Sequence, residues 1–193
     1  MSGELSVFLA EHEEDICEVH SLVERTYLAS YGTVPRPAQA YGAVRRGSEV
    51  VACLGFDHAE PDGRFAIERI YSLDRTQYPV PVTSDTTAQF GRLVSSEPCL
   101  GRLAVHTGIW FALRLGKRLG IVEHNDVIHR VTLGFGLVLL DIPFWEINLG
   151  ETLPQDRGYY EKREGKPYLM DLEKSLERTA ARLSPDVLAL FKE

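Results

Sequence analysis

Residues 87–120, TAQFGRLVSSEPCLGRLAVHTGIWFALRLGKRLG, decide the fold of this chain. Residues 87–94 have the composition of a short strand, and residues 95–101 form a kinked linker that contains Pro98. Residues 103–119 are apolar on most sides and predict a long, largely buried helix that ends at Gly120. A strand that enters a helix through a turn of glycine and small residues directs backbone N–H groups at that turn, where the helix dipole favours anions. The pattern suits a phosphate-bearing ligand such as a phosphopantetheine arm, and it also fits an ordinary strand–turn–helix connection.

Length and composition restrict the class of protein. The 193 residues, of which 44% are hydrophobic and 25% charged, fit one globular domain. A net charge of −7 argues against broad nucleic-acid binding. No apolar run approaches the roughly 20 residues that span a bilayer, and the N-terminus lacks the pattern of a secretion signal. We therefore expect a cytoplasmic protein without membrane insertion.

The three cysteines, Cys17, Cys53 and Cys99, have no spacing typical of a metal site or a disulfide framework. We expect Cys17 and Cys53 to be small buried residues in a reducing compartment. His124 and His129 flank Asp126, but their spacing does not put two ligands on one helix face, so we expect no metal.

Hydrophobic periodicity and turn residues predict the remaining elements. Helices are expected at residues 13–30, with Gly32 as the stop, at 125–132 and at 173–183, followed by a last turn at Ser184-Pro185. Strands are expected at residues 5–10, 41–45, 49–56, 65–71, 120–123, 136–142 and 167–172, with a polar loop at 150–166. This order predicts a mixed α/β fold with a mainly antiparallel central sheet flanked by helices. We expect a single domain, residues 1–193, with a C-terminal helical tail from about residue 173.

Six short segments in this order carry a resemblance to known proteins. They are ASYG at 29–32, VACLGF at 51–56, ERIY at 68–71, QFGRL at 89–93, LGF at 133–135 and YY at 159–160. Together they resemble the GNAT acyltransferase superfamily. More narrowly, residues 23–172 are similar to acyl-homoserine-lactone synthases, long-chain N-acyl amino acid synthases and thermostable-hemolysin-type proteins. The resemblance implies a GNAT-like fold and an N-acyltransferase that moves a fatty acyl group to a small amine.

The same resemblance implies the donor and the site. The co-substrate would be an acyl-CoA or an acyl-carrier-protein phosphopantetheine thioester, with the carrier protein as partner in the second case. The relatives present a Glu and, three residues later, an Arg on the central strand; here these positions are Gln89 and Arg92. Glu68, Gln89 and Arg92 would orient the amine. A bulge would offer backbone N–H groups around residues 93–95, and the cofactor side would comprise Leu93, Val94, Ser95, Ser96, Gly101 and Arg102.

Three departures from the pattern leave a second hypothesis open. Gln89 is an amide, which hydrogen-bonds but does not take a proton as a carboxylate does. Many GNAT enzymes use a tyrosine near the position of His129, and none stands there. The common phosphate-loop signature is also absent. These gaps fit either an enzyme that uses other residues or a non-catalytic acyl-thioester or lipid-binding module.

The residues alone also allow structural roles. Glu68 would point to solvent or pair with Arg69 or Arg92, which makes a buried Arg92–Glu68 ion pair the rival of a catalytic Arg92. An acyl chain could lie against a set of apolar residues that are more typical of plain core: Phe135, Leu137, Leu139, Phe144 and Trp145. The acyl-transfer hypothesis requires the sheet to open beside Arg92, away from the strand near Ile121.

Overall fold

A computed structural model describes residues 3–152, 154–161 and 165–192 of the chain. Its strands are β1 (Leu5–Ala10), β2 (Ala40–Arg46), β3 (Glu49–Asp57), β4 (Thr87–Ser95), β5 (Leu119–His124), β6 (Leu139–Asp141) and β7 (Lys166–Asp171). Its α-helices are α1 (Glu13–Tyr31), α2 (Ala66–Ile70), α3 (Gly101–Arg114), α4 (Asp126–Phe135), α5 (Pro154–Glu161), α6 (Leu172–Ala180) and α7 (Pro185–Leu188).

The strands form one sheet in the order β1-β2-β3-β4-β5-β7-β6. The β4–β5 pair is parallel, and the five other neighbouring pairs are antiparallel. The prediction of a mainly antiparallel sheet flanked by helices is therefore confirmed. The parallel pair lies in the middle of the sheet, and α3 connects its two strands.

Helices cover both faces of this sheet, and strand alternation decides which side chains meet which helix. Tyr41 and Ala43 of β2 pack with α1 on one face, while Val44 packs with α3 on the other. Helix α3 lies so close to β2 that a Cβ on Gly42 would be 2.5 Å from the Cα of Gly108. The α3 face contains the larger apolar core, in which Val105 and Ile109 are fully buried.

Several predicted elements are confirmed with their end signals. Strand β1 has the predicted limits, and α1 ends at Gly32, which has a φ of 67°. The side chain of Asn125 accepts a hydrogen bond from the Ile128 N–H and caps α4. Gly136, at a φ of 109°, ends the same helix. The LGF segment is thus the last turn of α4.

The predictions for residues 65–71, for the end of α3, for the loop at 150–166 and for Cys17 were wrong. Residues 65–71 contain helix α2 and no strand, although their β-branched and aromatic residues favour a strand. Helix α3 ends at Arg114, because Gly116, at a φ of 79°, turns the chain toward β5. The polar segment 150–166 contains helix α5. Cys17 is exposed, whereas Cys53 is buried as expected.

In the part of the chain that the structure describes, no helix is both long and apolar enough to cross a membrane.

Candidate functional site

The parallel strands β4 and β5 separate halfway along their length. They pair from Thr87–Leu119 to Gln89–Ile121 and no further, although β4 continues to Ser95 and β5 to His124. Beyond Gln89, β4 keeps only its other neighbour, β3, while β5 stays paired with β7. The expected opening of the sheet beside Arg92 is confirmed.

A bulge in β4 accompanies this separation. Val94 lies opposite Cys53 and Gly91 lies opposite Gly55, so that Leu54 faces two residues, Arg92 and Leu93. Arg92 has a φ of 56°, a left-handed conformation that costs a non-glycine residue about 1–2 kcal/mol. A bulge leaves an extra residue outside the ladder and bends its strand. The predicted bulge is therefore present, at residues 92–93.

A cavity of about 190 Å³ occupies the opening. Its lining comes from both faces of the sheet. The α1–α2 side contributes Tyr27, Tyr31, Ile67, Ile70, Gln89, Glu123 and Tyr160, and the α3–α4 side contributes Leu54, Val105, Val122, His124, Ile128, Thr132, Leu137 and Met170. The first side is aromatic and polar, while the second is mostly apolar. Of the five apolar residues proposed for an acyl chain, Leu137 alone lines this cavity; Phe144 is 68% exposed.

Arg92 joins the bulge to the loop that follows α1. Its side chain is 10% exposed and its Nη1 lies 2.9 Å from Oδ2 of Asp57, while its Nε donates to the Arg36 carbonyl at 2.7 Å. Burial lowers the pKa of Arg92, but the Asp57 carboxylate together with Tyr41 and Tyr27 more than offsets this, so the pKa is raised and the side chain stays charged. The expected ion pair of Arg92 with Glu68 is wrong: the partner is Asp57.

Gln89 lines the cavity and also fixes helix α2. Its Oε1 accepts a hydrogen bond from the Ile67 N–H at 2.9 Å. This N–H lies in the first turn of α2, where no intrahelical acceptor exists for it. The amide at position 89 therefore positions the helix that forms one wall of the cavity.

Glu68 is fully buried and lies outside the cavity lining. Its carboxylate accepts two hydrogen bonds from Arg75, at 2.6 and 2.8 Å, and one from the Tyr78 hydroxyl at 3.0 Å. It also accepts the Phe65 N–H at 2.8 Å, which closes the start of α2. The expectations that Glu68 faces solvent or pairs with Arg69 or Arg92 were wrong, and no pattern in the sequence had indicated Arg75 as its partner.

The six residues proposed for the cofactor side run from the bulge to the start of α3. Leu93 lines the cavity, and Val94 is buried in the core under α1. The Ser95 hydroxyl donates to the Glu97 carbonyl, and the Ser96 hydroxyl donates to the Val51 carbonyl at 3.0 Å.

The last two of these six residues lie at the start of α3. Gly101 is its first residue, and a Cβ there would be 3.4 Å from the Phe135 ring. Arg102 donates to the Arg182 carbonyl at 2.8 Å and lies over the ring of Phe135. The Phe135 ring therefore borders this helix start on the α4 side.

Sequence reasoning missed two cavity residues on β5, Glu123 and His124. The predicted strand at 120–123 contained Glu123 without marking it, and His124 was considered with His129 only as a possible metal ligand. His124 is buried, with Nδ1 3.4 Å from the Thr132 hydroxyl. Burial, with a smaller effect of His129, lowers the pKa of His124 to about 4, so the ring is neutral at pH 7. Within the described residues, no group of three or more His, Cys, Asp or Glu side chains is arranged to hold a metal ion.

The fold of the chain is similar to that of several solved structures. No family model matches the sequence, and no curated protein matches it. The structure of BjaI, a CoA-dependent acyl-homoserine lactone synthase, with SAM and isopentyl-CoA, is similar at a TM-score of 0.66 and 12% identity, over 98% of each chain. The acyl-homoserine-lactone synthase LasI gives 0.61 and 8% identity over 92% of this chain and 96% of its own.

A third similar structure is FeeM, an N-acyl amino acid synthase from uncultured soil microbes. Its TM-score is 0.59 at 8% identity, over 94% of this chain and 99% of its own. Identities this low establish the fold. The chain therefore has the acyltransferase fold shared by acyl-homoserine-lactone synthases and N-acyl amino acid synthases, as its sequence segments had indicated.

Proposed function

We propose that this protein is an N-acyltransferase that moves a fatty acyl group from a phosphopantetheine thioester to a small amine. One observation carries the proposal: β4 and β5 part after Gln89–Ile121, and the opening holds a cavity lined from both faces of the sheet. The arrangement suits acyl transfer, because the amine must reach the carbonyl carbon of the bound thioester from a side that the thioester does not occupy.

The thioester would lie in the opening with its acyl chain on the apolar side, against residues such as Val105, Leu137 and Met170. Its carbonyl would lie beside the bulge, where backbone N–H groups outside the ladder are suited to stabilise an oxyanion. The phosphate end would follow Ser95 and Ser96 to the start of α3, where helix N–H groups and Arg102 favour an anion.

The amine would enter from the opposite side, between α1 and α2. Gln89 and Arg92 line the cavity. Arg92 is charged and held by Asp57, so its contribution is a fixed positive charge next to the bulge. Glu68 would act on the amine only indirectly, by holding α2 in place.

The solved structures guide the choice of substrates to test. BjaI was solved with SAM and isopentyl-CoA, and FeeM is an N-acyl amino acid synthase. A suitable panel therefore combines SAM and free amino acids as acceptors with acyl-CoA and acyl-carrier-protein donors of increasing chain length.

The experiment measures thiol release from each donor in the presence of each amine. Cys17 and Cys99 are exposed and react with thiol reagents, so the assay uses a Cys17→Ser/Cys99→Ser variant to give a flat background. Mass spectrometry of the acylated amine identifies the acceptor. We expect amine-dependent release with at least one donor.

Binding of acyl thioesters without release, across the whole panel, would contradict acyl transfer and support the alternative of a non-catalytic acyl-thioester or lipid-binding module. Absence of both binding and release would contradict both hypotheses. Native mass spectrometry of the purified chain with each thioester separates these outcomes.

A further inference from the structure

A buried histidine stands across the opening of the sheet from the bulge. Strands β4 and β5 run parallel, and their last pair before the opening is Gln89 with Ile121. Three residues beyond this pair lie Arg92 on β4 and His124 on β5, so the register places these two residues at the same level. His124 also lines the cavity. The bulge and the histidine therefore flank the same point of the opening.

The alternation of side chains along β5 puts His124 on the apolar side of the cavity. It follows Val122 by two residues, so both side chains project from the same face of the sheet. Val122 belongs to the apolar core that α3 covers, and Thr132 of α4, which contacts His124, lines the cavity as well. In the proposed acyl transfer the thioester occupies this side, which puts the ring beside its sulfur atom.

Thr132 determines which nitrogen of the His124 ring carries the hydrogen. The Thr132 hydroxyl donates to the Ile128 carbonyl at 2.9 Å, so its oxygen is left to accept a hydrogen bond. Nδ1 of His124 lies 3.4 Å from that oxygen and therefore holds the hydrogen of the neutral ring, which leaves the lone pair on Nε2. Among the residues that the structure describes, none forms a hydrogen bond with Nε2.

A lone pair without a partner is costly at this position. His124 is 7% exposed, and its side of the cavity is formed mainly by leucine, valine, isoleucine and methionine side chains. A buried acceptor that lacks a donor costs about 1–3 kcal/mol, and an aliphatic residue would avoid this cost. The cost is explained if a group of the substrate gives a hydrogen to Nε2.

From this geometry, and on the basis of the proposed acyl transfer, we propose that His124 is a catalytic residue that carries a proton from the attacking amine to the leaving sulfur. The bulge holds the carbonyl oxygen from one edge of the opening, and Nε2 reaches the nitrogen and the sulfur from the other. The neutral ring can take a proton, and a thiolate is a stronger base than imidazole, so the proton moves on to the sulfur.

The proton and electron balance of this step is complete. The acceptor reacts as a free amine, whose nitrogen lone pair forms the C–N bond while the carbonyl electron pair moves to oxygen. Nε2 of His124 takes one proton from the nitrogen, which has become positively charged. The carbonyl then re-forms, the C–S bond breaks, and the sulfur leaves with the bonding electron pair. The sulfur takes the proton from Nε2, so the products are an amide, a thiol and the neutral ring.

The test compares His124→Gln with the parent chain in the thiol-release assay. Glutamine forms hydrogen bonds but does not take a proton, and removal of a general base costs about 10²- to 10⁴-fold, so kcat/KM for the amine should fall at least 50-fold. The dissociation constant of the acyl thioester, measured by native mass spectrometry, should stay within about twofold. The matched control is His129→Gln, which should stay within threefold, because His129 stacks on Tyr168 at 4.7 Å and is not among the described residues that line the cavity.

Two further variants separate proton transfer from a role in packing. Added imidazole should restore thiol release of His124→Ala at least fivefold, whereas pyrazole, a ring of the same size and a much weaker base, should not. Thr132→Val keeps the imidazole but removes the oxygen that accepts from Nδ1, so it should lower kcat/KM for the amine at least fivefold. This variant decides the matter if neither His124 variant folds.

The outcomes separate this assignment from the function on which it rests. Amine kinetics of His124→Gln within threefold of the parent, or an equally large loss in His129→Gln, would overturn the assignment and leave acyl transfer intact. Equal rescue by imidazole and pyrazole would also overturn it, since the ring would then only fill space. A parent chain that releases no thiol with any donor and amine would instead remove the proposed function.

Discussion

The Arg92–Asp57 ion pair allows the structural and catalytic roles of Arg92 to be separated by experiment. The perturbation is a set of four variants: Arg92→Ala, Arg92→Gly, Asp57→Asn and the double variant Arg92→Ala/Asp57→Asn. In the folded chain both side chains are almost fully buried, at 10% and 5% exposed. Loss of one partner therefore leaves the other as an unpaired buried charge.

The magnitudes follow from this burial. Arg92→Ala leaves Asp57 with the Gln39 N–H at 2.9 Å as its remaining hydrogen bond, and an uncompensated buried charge of this kind costs about 3–5 kcal/mol. Asp57→Asn in the parent also destabilises, because Arg92 then lacks a counter-charge. In the Arg92→Ala background the same change removes the unpaired charge, so it should restore about 1–3 kcal/mol.

The left-handed backbone of Arg92 adds an independent comparison. Arg92→Ala and Arg92→Gly lose the same ion pair, but alanine keeps a Cβ at a φ of 56° and glycine does not. Relief of about 1–2 kcal/mol of strain, less the greater flexibility of glycine in the unfolded chain, should leave Arg92→Gly roughly 1 kcal/mol more stable than Arg92→Ala.

The assay is equilibrium urea unfolding of the full chain, followed by circular dichroism, with thiol release measured on each variant at a temperature where it is folded. The decisive result is the sign of the Asp57→Asn effect in the two backgrounds. The same sign and size in both would refute the buried ion pair as the link between β4 and the loop after α1. Thiol release that stays near the parent value in folded Arg92→Gly would show that Arg92 acts through structure alone.

Three further predictions test the cavity, the histidines and Glu68. A Cβ at position 91 meets no atom within 4 Å, so Gly91→Leu should change the unfolding free energy by no more than about 1 kcal/mol. Its side chain should fill the cavity and lower thiol release at least tenfold. Gly91→Ala is the smaller control. Burial lowers the pKa values of His106 and His124 to about 4, so the unfolded chain binds more protons below about pH 6.5. Urea unfolding should therefore show stability falling from pH 6.5 toward pH 4, by up to about 3 kcal/mol for each histidine, and His106→Gln/His124→Gln should flatten this slope. Glu68→Gln should destabilise the chain by about 2–3 kcal/mol, because the charge-assisted bonds to Arg75 are lost. In the folded variant, kcat/KM for the amine should stay within threefold of the parent value. A larger kinetic loss without destabilisation would contradict the structural role of Glu68.

Elements whose signals are local could be predicted from the sequence. Strand β1, helix α1 with Gly32 and the β2–β3 hairpin follow from periodicity and turn residues within each segment. Helix α2 could not, because its start is fixed by a side chain from β4, through the bond from the Ile67 N–H to Gln89. Its five residues are too few to show a helical period against their strand-like composition.

In the candidate site, too, some features were predictable from the sequence and others were not. The opening of the sheet and the bulge were expected from the order of short segments that resemble acyltransferases, and both are properties of the backbone. The partners of the side chains were not predictable, since Arg92 meets Asp57 and Glu68 meets Arg75 through the folding of separate loops.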